Sequence, residues 1–178
     1  ETWPAMIAAV TDLAGKITGV HRTWLARDGS GKAPLDTQRK AMGELLGRAV
    51  RFGGTKEVMA AGEGIETVLS LRQALPKMPM VAALSAGHLA ALQFPADLRR
   101  LYIVRDNDPA GDGARDSLIA RANEAGIEAL TLSPMAGDFN DDLTTRGLDA
   151  IRAHIRVQLA PEDVSRFSGT DPRMRRRG

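Results

Sequence analysis

Four short apolar runs, set apart by segments of helix length, constrain this chain more than any other feature. They are Val58–Ala61, Met80–Leu84, Leu101–Val104 and Glu128–Leu132. Each is too short for a helix, and most are apolar at consecutive positions. They read as strands buried on both faces. Between them Ile65–Leu75 has helical spacing and ends before Pro76. Gly87–Leu92 reads as a short helix stopped near Pro95, and Gly111–Ala125 as a helix closed by Gly126. A last helix is expected over Leu148–Leu159, ahead of Pro161. Parallel strands require crossovers of this kind. The fold class is therefore α/β, with a mostly parallel central sheet and helices on both faces.

The first 56 residues have a different rhythm. Apolar runs 6–10 and 17–25 flank a turn at Asp12–Gly15, and Asp28–Gly31 is a second turn signal. This predicts a β-hairpin with a long loop. The stretch "TQRKAMGELLGRAVRF" reads as part helix and part strand. Three regions are expected: a small β-rich segment over 1–56 packed on the core, the α/β domain over 57–160, and a basic, polar, disordered tail over 161–178.

Composition narrows the chemistry. Aromatic residues are 4% of the 178, so the core is built from Ala, Leu, Val, Ile and Met. There is no cysteine, which excludes disulfides, thiolate zinc sites and cysteine nucleophiles and fits a reducing cytoplasm. No apolar stretch approaches the roughly 18 residues of a membrane span, so no membrane partner is expected. The chain begins at Glu1 rather than Met, which predicts a piece of a longer protein. Net charge is +2, with Arg173, Arg175, Arg176 and Arg177 all in the last six residues.

In an open parallel sheet, ligands bind beyond the carboxyl ends of the strands, and that is where the acidic residues fall. The first strand runs into Gly62-Glu63-Gly64, with Glu66 three residues on. The third ends in Asp106 and Asp108, followed by Pro109, Ala110 and Gly111. The fourth leads to Asp138, Asp141 and Asp142. Any one of these suits a helix cap. Carboxylates from three strand ends repel one another unless a cation lies between them. An oxygen-only set is suited to a hard cation, Mg²⁺ or Mn²⁺, and such ions recruit phosphate. The chemistry indicated is phosphoryl transfer on a nucleotide or nucleic acid.

These residues carry a resemblance. Glu63-Gly64 after an apolar strand, Asp106-Asn107-Asp108 before Pro109-Ala110-Gly111, and "DFND" at 138–141 together resemble the Toprim domain. That domain is shared by bacterial replicative primases, type IA and II topoisomerases, recombination proteins of the RecR kind and some nucleases. The resemblance covers roughly 56–145. It implies Glu63 as general acid/base and Asp106 and Asp108 as Mg²⁺ ligands, with Asp138 or Asp141 as a further ligand. Primase-like members carry an acidic residue four places after the glutamate; here that place is Thr67, with Glu66 one earlier.

The only tyrosine, Tyr102, lies inside an apolar run, which disfavours a topoisomerase nucleophile in this chain. "GKITGVHRTWL", "GKAPLDTQRKAMG" and "AGEGIETVLSL" resemble primase-type Toprim proteins of plasmids, phages and conjugative elements. The expectation is Mg²⁺-dependent nucleotidyl transfer, primer synthesis on a single-stranded DNA template from nucleoside triphosphates. Helicase or relaxase domains are expected in the parent protein. A Toprim nuclease and a non-catalytic DNA-binding module are the alternatives. Basic candidates for nucleic acid are His21, Arg22, Lys32, Arg39, Lys40, Lys56, Arg105 and Arg115, with Arg22, Lys40, Arg105 and Arg115 preferred. Trp3 and Trp24 would stack on bases or fill core, and His88 follows the second strand.

Overall fold

The computed structural model describes residues 2–54 and 57–168. Lys56, Arg173, Arg175, Arg176 and Arg177 lie outside the described residues. The chain builds two sheets. The first is antiparallel and three-stranded: β1 (Ala5–Thr11), β2 (Ile17–Trp24) and β3 (Arg39–Gly43), in that order. The expected hairpin is present, and β3 comes from the stretch whose structure the sequence left mixed. That stretch contains no helix; its last three residues are β4 (Val50–Phe52).

β4 crosses into the second sheet, whose order is β4-β6-β5-β7-β8. Its other members are β5 (Val58–Gly62), β6 (Met80–Ala82), β7 (Arg100–Val104) and β8 (Glu128–Leu132). These four run parallel, and β4 pairs antiparallel with β6 at the edge. The strands are the four apolar runs read from the sequence. Alternate residues feed opposite layers, as the period of two requires. Ala60, Tyr102 and Val104 pack with helices α1 (Ile65–Ala74), α5 (Leu148–Arg156) and α6 (Pro161–Phe167). Met59, Leu101 and Ile103 pack with α2 (Ala86–Ala90) and α3 (Pro109–Glu124). Helices therefore cover both faces.

Two elements correct the sequence reading. The loop after β8 contains a helix, α4 (Phe139–Arg146), capped by Asp138, whose side chain accepts from the Asp141 N–H. Residues 161–167, expected as the start of a tail, form α6. Phe167 is buried, and Asp163, also buried, accepts from the Tyr102 hydroxyl at 2.8 Å and the Arg100 guanidinium at 2.8 Å. Arg100 also holds Glu128 and Glu162. The Ala160 N–H donates back to the Tyr102 oxygen at 2.9 Å. Tyr102 is fully buried, with a hydroxyl pKa driven upward by burial and the Asp163 carboxylate. It is a structural clasp.

Among the described residues, no helix is long and apolar enough to cross a membrane.

Candidate functional site

The acidic groups gather beyond the ends of the neighbouring strands β5, β7 and β8. Gly62 closes β5 between Val68 and Val104; a Cβ there would lie 2.9 Å from Val68 Cγ2 and 3.1 Å from Val104 Cβ. The close packing sets Glu63 directly above the sheet edge. The neighbouring loop is stitched to it: the Ala83 N–H donates to the Gly62 carbonyl and the Leu84 N–H to that of Glu63. Leu84 has φ +80°, among the described residues the only non-glycine with positive φ. Such a conformation costs on the order of 1–3 kcal/mol and concentrates at ligand sites.

Asp106 and Asp108 follow β7. Asp108 caps α3, accepting from the Gly111 N–H at 2.7 Å. A Cβ on Gly111 would meet the Asp106 carbonyl oxygen at 2.4 Å, so only glycine lets the helix start this close to the aspartate. Asp106 is half-buried, and its Oδ1 atom has no hydrogen-bond partner. Burial, then the charges of Glu63, Asp138 and Asp108, push its carboxyl up to about 7. Burial and Asp108 likewise raise Glu63, opposed by Arg39. Carboxylates from three strand ends thus bear on Asp106, and Asp108 bears on Glu63 as well.

The remaining acids have other partners. Asp138 caps α4 and also accepts from Thr67 Oγ1 at 3.3 Å. Thr67, standing at the position where primase-like members carry an acid, serves as a buried donor to this aspartate. Asp141 is exposed, and its backbone N–H donates to the Asp138 cap. Asp142 is fully buried and accepts from the Met135 and Ala136 N–H groups, fixing the loop that carries Asp138. Glu66 is held by Lys32 at 3.1 Å and Arg39 at 3.3 Å. Burial works against its charge, but its backbone N–H, Arg39 and Lys32 keep the pKa below the usual carboxylate range.

Among the described residues, no three His, Cys, Asp or Glu side chains converge closely enough to form a ready metal cage. The donors nonetheless suit a hard cation. They are all oxygens, they repel one another, and Asp106 keeps a buried oxygen that nothing in the protein satisfies.

The basic candidates separate. Arg105 is committed to Asp112 through contacts of 2.6 and 3.2 Å, and Arg115 to Asp112 and Asp116 at 2.8 and 2.9 Å. Arg22 and Lys40 line a groove on the outer side of the small sheet. The positive charge of the cleft is Arg39, grouped with His21 and His88. These three line one cavity of about 230 Å³ together with Leu84 and Ser85. His21 is 8% exposed; burial, then Arg39, lowers its pKa, against the pull of Glu66. The sequence offered these residues as single candidates. Their grouping depends on how β2 and β3 meet the segment after β6, which no local pattern encodes.

Comparison with protein families matches residues 58–149, just over half of the chain, to the Toprim domain. The chain belongs to the Toprim family. Residues 1–52 match a domain of unknown function (DUF7146). No curated protein matches the chain. Among solved structures, the primase fragment of the bacteriophage T7 primase-helicase protein superposes with TM-score 0.62 at 14% identity, covering 85% of this chain and 62% of that one. The Aquifex aeolicus primase (zinc-binding and RNA polymerase domains) gives 0.59 at 18%, covering 86% and 40%. The RNA polymerase domain of Mycobacterium tuberculosis primase DnaG, in complex with double-stranded DNA, gives 0.55 at 19%, covering 85% and 52%. The Toprim chain thus spans about 40–62% of the length of these relatives. At these identities the likeness is one of fold, and it extends beyond the Toprim core.

Proposed function

We propose that this Toprim chain carries out divalent-metal-dependent nucleotidyl transfer on single-stranded DNA, making short RNA primers from nucleoside triphosphates. The observation that carries the reading is the mutual field of Glu63, Asp106, Asp108 and Asp138 around the unsatisfied Asp106 oxygen. Asp106 and Asp108, with Asp138 beside them, would hold Mg²⁺ or Mn²⁺; Asp141, in the same helix turn, would reach it only indirectly. The bound ion would neutralise phosphate oxygens and withdraw charge from the leaving pyrophosphate.

Glu63 is the proton acceptor. Its raised pKa brings it nearer neutrality, where a general base is most effective. The attacking 3′-hydroxyl gives its proton to Glu63, the new O–P bond forms at the α-phosphorus, and pyrophosphate departs. Arg39 faces Glu63 across the cleft and orients phosphate, while Lys32 shares the task of holding Glu66. On this reading residues 57–160, clasped by α6, are the catalytic unit. The small sheet is its nucleic-acid-binding front, and helicase or relaxase domains are the other parts it would work with in the cytoplasm. The T7 relative is a primase-helicase, which supports a helicase as one such part.

The test incubates the chain with labelled ribonucleotides, Mg²⁺ or Mn²⁺ and single-stranded DNA. New short RNA is the expected product. Degradation of the DNA assigns the site to a nuclease instead, and binding without product makes the chain a DNA-binding module.

A further inference from the structure

The three-stranded sheet has two faces of different character. Its register places Ala8, His21 and Ala41 in one cross-strand row and Met6, Thr23 and Arg39 in the next, all directed inward. His21 and Thr23 are buried, and Arg39 reaches Glu66. The alternate rows are Ile7, Arg22 and Lys40, then Ala9, Val20 and Met42, with Ala5 beside Trp24 at the end. Ile7 is 60% exposed and Met42 65%. A groove of about 280 Å³ runs between these two rows.

We propose that this outer face is a platform for single-stranded nucleic acid, distinct from the acidic cleft. The inference rests on the nucleic-acid reading above and assigns the strand a path that the cleft alone does not supply. Three features carry it. No acidic residue occurs in the outward rows, and neither Arg22 nor Lys40 forms an ion pair among the described residues. The face therefore favours a polyanion over an apolar or basic protein segment. The Arg22 guanidinium lies 5.0 Å from the centre of the Trp24 ring, a planar cation stacked on a planar ring. With Ile7 and Met42 beside it, this surface takes the unstacked faces of bases, which duplex DNA does not present. Finally, Lys40 and Ala41 line both this groove and the cavity of His21, Arg39 and His88. Neighbours on edge strand β3, Lys40 and Arg39 thus serve opposite faces, so a strand crossing that edge passes from platform to cleft.

The test is binding of a short fluorescent oligo-dT in EDTA, with blunt duplex as comparator and salt varied. Arg22→Ala with Lys40→Ala should weaken single-strand affinity about tenfold and reduce the salt slope by about 1.4, at roughly 0.7 per lost phosphate contact. Ile7→Glu, at an exposed position, should weaken it similarly with an unchanged melting temperature. A 5-iododeoxyuridine oligonucleotide should cross-link to Trp24 or its strand neighbours. Binding by both variants at the original affinity and slope overturns the proposal, as does cross-linking confined to the cleft. So does an Ile7→Glu variant that leaves DNA binding intact but dissociates a dimer in sedimentation, which makes the face a contact between copies of this chain. Because metal and nucleotide are absent, the result is independent of whether primers are made.

Discussion

At the residue scale the account turns on charges placed where they repel. Asp106 titrates near 7 in the folded chain against 3.8 ordinarily, so the folded state binds more protons than the unfolded between these values. Stability of the metal-free protein should therefore fall as pH rises across that window. Added Mg²⁺ should restore part of it near pH 7, because a ligand of the folded state alone stabilises that state. Asp106→Asn should stabilise the metal-free protein at pH 7 by about 1–2 kcal/mol, after allowing for solvent screening of a half-buried group, while removing activity. Thermal melts of both proteins across pH check this; equal profiles contradict it. Glu63→Gln keeps size and hydrogen bonding but loses the proton acceptor, so turnover should drop on the order of 10²–10⁴-fold with DNA affinity nearly unchanged. Single-turnover kinetics beside a binding titration separate the two effects. Glu63, Asp106 and Asp108 were legible in the sequence because a position just past an apolar strand is a one-dimensional property. The opposing cation was not, since Arg39 reaches the cleft only when the small sheet packs on the larger domain. The pairing of Arg105 and Arg115 with Asp112 was likewise hidden, although all three lie within eleven residues of one another.

Among elements, strands were read better than the segments after them. Consecutive apolar residues leave little alternative to a buried strand, so β5, β7 and β8 fell within a residue or so of expectation. α4 and α6 are short, polar helices held by contacts outside themselves: α4 through Asp142 to the loop before it, and α6 through Asp163 to Arg100 and Tyr102 of β7. Tyr102→Phe deprives the Ala160 N–H and the Asp163 carboxylate of a buried partner. It should cost about 1–3 kcal/mol in urea denaturation and leave primer synthesis per folded molecule unaltered. Gly111→Ala acts past the carboxyl end of the same strand, β7. Its Cβ would press on the Asp106 carbonyl, so α3 must shift, costing about 1–3 kcal/mol and displacing the aspartate pair. The expected signature is a weaker metal response together with a lower melting temperature; a loss of stability alone would contradict the coupling of α3 to the site.

For the whole molecule, a parallel sheet supplies rigid strand ends and the smaller sheet supplies a front that closes over them through Lys32, Arg39 and Glu66. The same arrangement spans the fold shared with the primase structures, although identities of 14–19% preserve few individual residues. The central claim is that the acidic edge uses a divalent ion to join nucleotides. It is tested most directly by measuring ribonucleotide incorporation on single-stranded DNA against Mn²⁺ concentration, for the unaltered chain, Asp106→Asn and Glu63→Gln. The account predicts saturable synthesis by the unaltered chain. Asp106→Asn should need far more Mn²⁺ or make no product, and Glu63→Gln should turn over slowly at an unchanged metal midpoint. Equal synthesis by all three proteins, or none by the unaltered chain at any metal concentration, contradicts it.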